Sequence, residues 1–158
     1  MSSNAFNFFV STVKPTLEEF LTAPYDIRRG RLAAIVLSHM TDYWALEGYT
    51  GNRNFKEMKQ PVDELRKTLS KQHPDYSLII DIADASKHAL LATDKTKRFP
   101  DSSTQVTRTA GIFDAPLGFF AEACVVEITF EDGTSKSLVE PIKSVLQMWN
   151  EKLSANER

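Results

Sequence analysis

Apolar residues return every third or fourth position through the N-terminal half of the chain, the period of an amphipathic helix, and switch to alternation nearer the C-terminus. Leu17, Phe20 and Leu21 predict a short helix over Lys14 to Thr22, with Pro15 acceptable in its first turn. Asp26 is the expected N-cap of a long helix reaching about Leu46, where Gly48 and Gly51 interrupt the pattern. Its core face would hold Leu32, Val36, Leu37, Met40, Tyr43 and Trp44. A third helix is expected from Pro61 to about Gln72. His73-Pro74-Asp75 then separates it from a fourth over Tyr76 to Ala92, with Leu78, Ile79, Ile82 and Leu90 turned inward.

From Thr93 to Gly118 the helical period lapses among Pro100, Gly111, Pro116 and Gly118, which predicts a long loop with a strand near Gln105 to Thr109. Glu122 to Phe130 and Ser135 to Val139 flank Glu131-Asp132-Gly133-Thr134 and read as an antiparallel hairpin. Pro141 opens a closing helix to about Leu153, with Ile142, Val145, Leu146, Trp149 and Leu153 as its apolar stripe. The fold class is therefore α+β and mainly α: a bundle of four or five helices, a small C-terminal antiparallel hairpin or three-stranded sheet, and a closing helix. Residues 1–158 read as one domain, with a helical part over about 14–92, a loop over about 93–118, the hairpin over about 122–139 and the last helix over about 141–153.

With 42% hydrophobic residues in 158, the chain can bury a core without disulfides or metal. The single cysteine, Cys124, excludes an internal disulfide and a thiolate metal cluster. A net charge of -2 argues against a strong global pull toward nucleic acid or anionic membrane, while leaving room for local basic patches. The opening residues lack a secretion signal and no later apolar run has membrane-spanning length. The expectation is a cytoplasmic protein with no membrane partner.

Candidate chemistry lies in Asp81-Ile82-Ala83-Asp84-Ala85-Ser86-Lys87-His88, where two acids, a lysine and a histidine interrupt an apolar helical run. Helical spacing puts Asp81, Asp84 and His88 on one stripe. The second helix has its own polar margin of Arg28, Arg31, His39 and Asp42. If the two helices meet along these margins, His39, Asp42, Asp84 and His88 converge, with arginine nearby.

Ala83-Asp84-Ala85-Ser86-Lys87-His88 resembles the signature of HEPN-type helical domains, in which an arginine, then a polar residue, then a histidine four positions later share one helix. Asp84 and His88 match the polar and histidine positions, and Ala83 stands where that family has arginine. The resemblance covers about one helix and its all-α setting. It implies metal-independent RNA cleavage or a non-cleaving relative, a nucleotide- or partner-binding module of the sort found in bacterial and phage systems. It also implies dimers with the motif at the interface. The missing arginine points to the non-cleaving form. The residues it assigns are His88 for proton transfer or phosphate contact, Asp84 to orient it, and Lys87 with Arg31 for charge stabilisation. Arg28, Arg31, His39 and Asp42 complete the binding site. The partners so implied are a second copy, RNA or another protein, with no cofactor.

Two alternatives stand beside it. His39, Asp42, Asp84 and His88 are a ligand set suited to zinc, iron or manganese in a metal-dependent hydrolase. Phe113, Leu117, Phe119 and Phe120 would form either a recognition patch of a non-enzymatic self-associating protein or a lid folded onto the helices. The plainest reading of the motif is structural: Asp81 or Asp84 pairs with Lys87, His88 or an arginine of the neighbouring helix and fixes helix register.

Overall fold

A computed structural model describes residues 3–92, 98–108 and 125–156. The chain enters a helix earlier than the sequence pattern suggests. Ser3 accepts a hydrogen bond from the Phe6 N–H and opens α1, Asn4–Phe8. A π-helical turn, Phe9–Val13, carries the chain without a break into α2, Lys14–Thr22. Pro15 supplies no N–H for a regular helical bond, and the widened turn just before it lets the helix run through where the pattern predicts a start. Asp26 caps α3, Ile27–Ala45, by accepting from the Arg29 N–H at 3.1 Å, as expected.

 α4, Phe55–Gln72, begins six residues before Pro61. It starts there because Asn54 caps it, accepting from the Glu57 N–H at 2.9 Å while its own amide donates to the Glu57 carboxylate at 2.8 Å. That reciprocal cap outweighs the one hydrogen bond Pro61 removes inside the helix. α5, Pro74–His88, ends before Ala92 because Ala89 turns to φ 62°, and the Leu90 N–H bonds back to the His88 carbonyl at 2.7 Å. This is a γ-turn in the left-handed region that a residue with a Cβ rarely adopts. Leu90, expected in the core, is consequently 73% exposed.

The γ-turn reverses the chain onto α5. Leu90 pairs with Ser102 in an antiparallel bridge, the Leu91 N–H donates to the Asp101 carbonyl, and the Ser103 N–H donates to the Ala89 carbonyl. A short 3₁₀ turn, Ser103–Gln105, leads into β1, Val106–Arg108. β1 pairs antiparallel with β2, Val126–Thr129, which pairs antiparallel with β3, Ser135–Ser137, in the order β1-β2-β3. The expected hairpin and third strand are both present, in the mainly α, α+β architecture the pattern predicts. α6, Val139–Asn156, begins just ahead of Pro141 and closes the fold.

α3 lies at the centre and packs most extensively on α5. The two run antiparallel. Thr41 meets Tyr76 at the start of α5, whereas Arg31, two to three turns earlier in α3, bonds Ser103, which in turn bonds Ala89 just past its end. Leu37, Met40, Ile79, Ile82 and Trp149 are fully buried between α3, α5 and α6. Leu32 and Tyr43, expected on the core face of α3, lie at its exposed margin, and Ala33 and Ala34 take the buried positions instead. The small residues let helices approach closely. Gly30 does the same toward α2 and the sheet: a Cβ there would stand 3.2 Å from Phe20 Cε2 and 3.4 Å from Val126 Cγ1 of β2, with Leu138 Cδ2 at 3.0 Å.

Candidate functional site

The acidic stripe of α5 exists, but its partner comes from a segment that sequence spacing does not connect to it. Ile79, Ile82, Ala83 and Ala85 turn into the core, leaving Asp81 and Asp84 on the half-buried margin. Arg98 reaches both. Its Nε donates to Asp81 Oδ1 and its Nη2 to Asp84 Oδ2, each at 2.7 Å, and the Phe99 N–H donates to Asp81 Oδ2 at 3.1 Å. Lys87 adds an ion pair to Asp84 at 3.2 Å. The structural reading of the motif thus describes Asp84 and Lys87, with the arginine supplied by the chain returning past α5 rather than by the neighbouring helix.

The two carboxylates respond differently to this setting. Burial pushes Asp81 up, and the hydrogen bonds from Arg98 and Phe99 do not fully offset it. Burial also pushes Asp84 up, yet the hydrogen bonds of Arg98 and Lys87 outweigh it and hold that carboxyl below its ordinary value. The same bonds hold the Arg98 guanidinium more firmly charged.

His88 stands exposed at the end of α5, and among the described residues its side chain has no hydrogen-bond partner. At the same end of the helix pair, Arg31 Nη2 donates to the Ser103 carbonyl at 2.9 Å and ties the returning segment to α3. Arg28 is exposed one turn earlier at the same end of the helix pair. Ala83, where the family has arginine, is fully buried in the core.

The margins of α3 and α5 do meet around His39. Burial is the main influence lowering its pKa, Lys87 lowers it further, Asp42 and Asp84 oppose the shift, and Arg66 of α4 reinforces it. His39, Asp42 and Asp84 therefore share one neighbourhood with two cations, and His88 does not join it. Beneath them the Tyr76 and Thr41 hydroxyls bond at 2.7 Å, and burial pushes the Tyr76 phenol up to about 12. Among the described residues no three His, Cys, Asp or Glu side chains are grouped to hold a metal ion. The expected ligand set of His39, Asp42, Asp84 and His88 is thus not assembled. Asp84 is occupied by Arg98 and Lys87, and His88 is exposed at the end of α5.

The His39 shift fixes a sign. A base whose folded pKa is lowered contributes stability above its ordinary value, and that contribution is lost as pH falls through the lowered folded value. The pH dependence of unfolding in that acidic window should therefore flatten in His39→Gln, as measured by urea titrations at stepped pH. An unchanged slope would remove His39 from the acid response.

Sequence reasoning missed Arg98 and Arg66. The only signal for Arg98 was the need itself, since two acids on a half-buried helix margin demand a cation. Phe113, Leu117, Phe119, Phe120 and Cys124 lie outside the described residues. No helix among the described residues is long and apolar enough to cross a membrane. No protein-family model, curated protein or solved structure matches this chain.

Proposed function

We propose that this protein is a HEPN-like helical-bundle binding module that takes single-stranded RNA at the C-terminal end of α5 without cleaving it. The observation that carries this reading is the fate of Asp84, the polar residue of the motif. It is tied to Arg98 and Lys87, and among the described residues nothing orients the exposed His88. A proton-transferring histidine needs a partner that fixes its ring, and a cleaving site needs a cation aimed at the developing phosphorane charge. The core position of Ala83 leaves no place on α5 for the family's arginine. Binding makes smaller demands. Lys87, His88 and Arg28 are exposed cationic or protonatable groups at one end of the α3 and α5 pair, which suits contact with phosphates.

The test is fluorescence anisotropy of a labelled single-stranded RNA at stepped salt, with the same RNA then run on a denaturing gel. Affinity should fall with salt with a logarithmic slope of about -2, the value for roughly three phosphate contacts on a single strand. The Lys87→Glu/His88→Ala double variant should bind more weakly, and the RNA should remain intact. Cleavage that disappears in His88→Ala would replace this reading with a nuclease, and absence of binding at low salt would end it.

A further inference from the structure

A second site opens beside the His39 neighbourhood, between the C-terminal half of α3 and the first half of α4. It is a cleft of about 340 Å³ lined by Asp42, Leu46, Phe55, Met58, Val62 and Arg66. It adjoins a recess of about 250 Å³ that shares Asp42 and Leu46. Two further charges at its wall, Lys59 and Asp63, are paired with each other. Asp42 and Arg66 are not. Among the described residues neither side chain has an ion-pair or hydrogen-bond partner, and Arg66 Nε is shut off from solvent without an acceptor. An unmatched carboxylate and an unmatched guanidinium facing one apolar cleft call for a ligand carrying both donors and acceptors. At the mouth, Phe55 is 81% exposed on the first turn of α4, the most exposed large apolar side chain described.

We propose that this cleft binds an unpaired guanine base. The Phe55 ring offers a stacking face, and Met58, Val62 and Leu46 offer an apolar wall. Arg66 matches the O6 and N7 acceptors of guanine, and the Asp42 carboxylate matches its N1–H and N2–H donors. Adenine presents one such donor and one such acceptor to the same pair, and pyrimidines present a smaller stacking face. The expected order is guanine, then adenine, then the pyrimidines. The base belongs either to a free nucleotide or to RNA, and the inference rests on the binding-module reading only for RNA as its source.

The experiment titrates guanosine, adenosine, cytidine and uridine monophosphates into the full chain by isothermal calorimetry. It is repeated with Phe55→Ala and Asp42→Asn, and the anisotropy assay is run with RNA containing or lacking guanine. Phe55→Ala should weaken guanosine monophosphate binding roughly tenfold, since a base on an aromatic face is worth about 1–3 kcal/mol. Its exposure makes the substitution safe for folding. Asp42→Asn should erase the preference for guanine over adenine. A guanine effect on RNA affinity that Phe55→Ala removes identifies RNA as the source; nucleotide binding without it identifies the free nucleotide. RNA binding that responds to Lys87→Glu, with no guanosine monophosphate binding that Phe55→Ala weakens, overturns the cleft and leaves the binding module standing. No detectable nucleotide binding, or tighter binding of free leucine than of any nucleotide, also overturns it.

Discussion

Arg98→Ala should destabilise the protein by about 3 kcal/mol at neutral pH, near the lower end of the range for stripping one partner from buried charges. Asp81 and Asp84 are each 15% exposed and would lose their shared cation together, leaving two neighbouring carboxylates with Lys87 as the remaining ion-pair partner described. The returning segment would also lose its anchor on α5, since the Phe99 N–H bond to Asp81 forms only where that segment lies against the helix. Chemical denaturation measures the effect directly. Its pH dependence carries a further signature. Asp84, held below its ordinary value, contributes stability above that value and loses it as pH falls through the folded pKa. Asp81, held above its ordinary value, contributes in the opposite sense: its stabilisation is fully present below the ordinary value and is lost as pH rises through the folded one. Asp84→Asn should therefore cost more than Asp81→Asn at neutral pH, and the penalty of Arg98→Ala should shrink as both carboxyls protonate. A variant within roughly 0.5 kcal/mol of wild type would reduce the Arg98 pairs to surface contacts.

Trp149→Ala should cost about 3–5 kcal/mol, the range for removing a large aromatic side chain from a packed core. Trp149 is fully buried on α6 and lies 6.0 Å from the Trp44 ring at a 50° tilt, so its loss opens a cavity between α6 and α3. In a chain of this size the midpoint of thermal unfolding should fall by about 10 °C. Trp149→Phe should cost far less than Trp149→Ala. The phenyl ring refills most of the space, and the indole N–H it removes is buried with no acceptor among the described residues. Equal losses in the two variants would show that the indole N–H is satisfied and that volume is not what the site requires.

The candidate site was legible only in its local half. Asp81, Asp84 and Lys87 follow one another at helical spacing, so their shared margin and the Asp84–Lys87 pair could be read from α5 alone. Arg98 could not, because its approach depends on the γ-turn at Ala89 and on the pairing of Leu90 with Ser102. Nothing in the residue type of Ala89 announces a positive φ. The start of α4 was misplaced for a related reason: Pro61 is a strong local signal, and the Asn54–Glu57 cap that overrides it lies outside the apolar period.

Short-range signals along the chain specify the helices from α2 onward, which carry most of the core, together with the Asp26 cap, the Asp-Gly hairpin and the mainly α class. These follow from side-chain periodicity and capping within a few residues. Tertiary structure alone decided which polar groups meet. It tied Arg98 to Asp81 and Asp84, drew Arg31 to the Ser103 carbonyl, left His88 outside the His39 neighbourhood, and set Asp42 and Arg66 in one cleft. Periodicity specifies which face of a helix is buried, whereas the pairing of charges depends on helix direction, register and the path of the connecting chain.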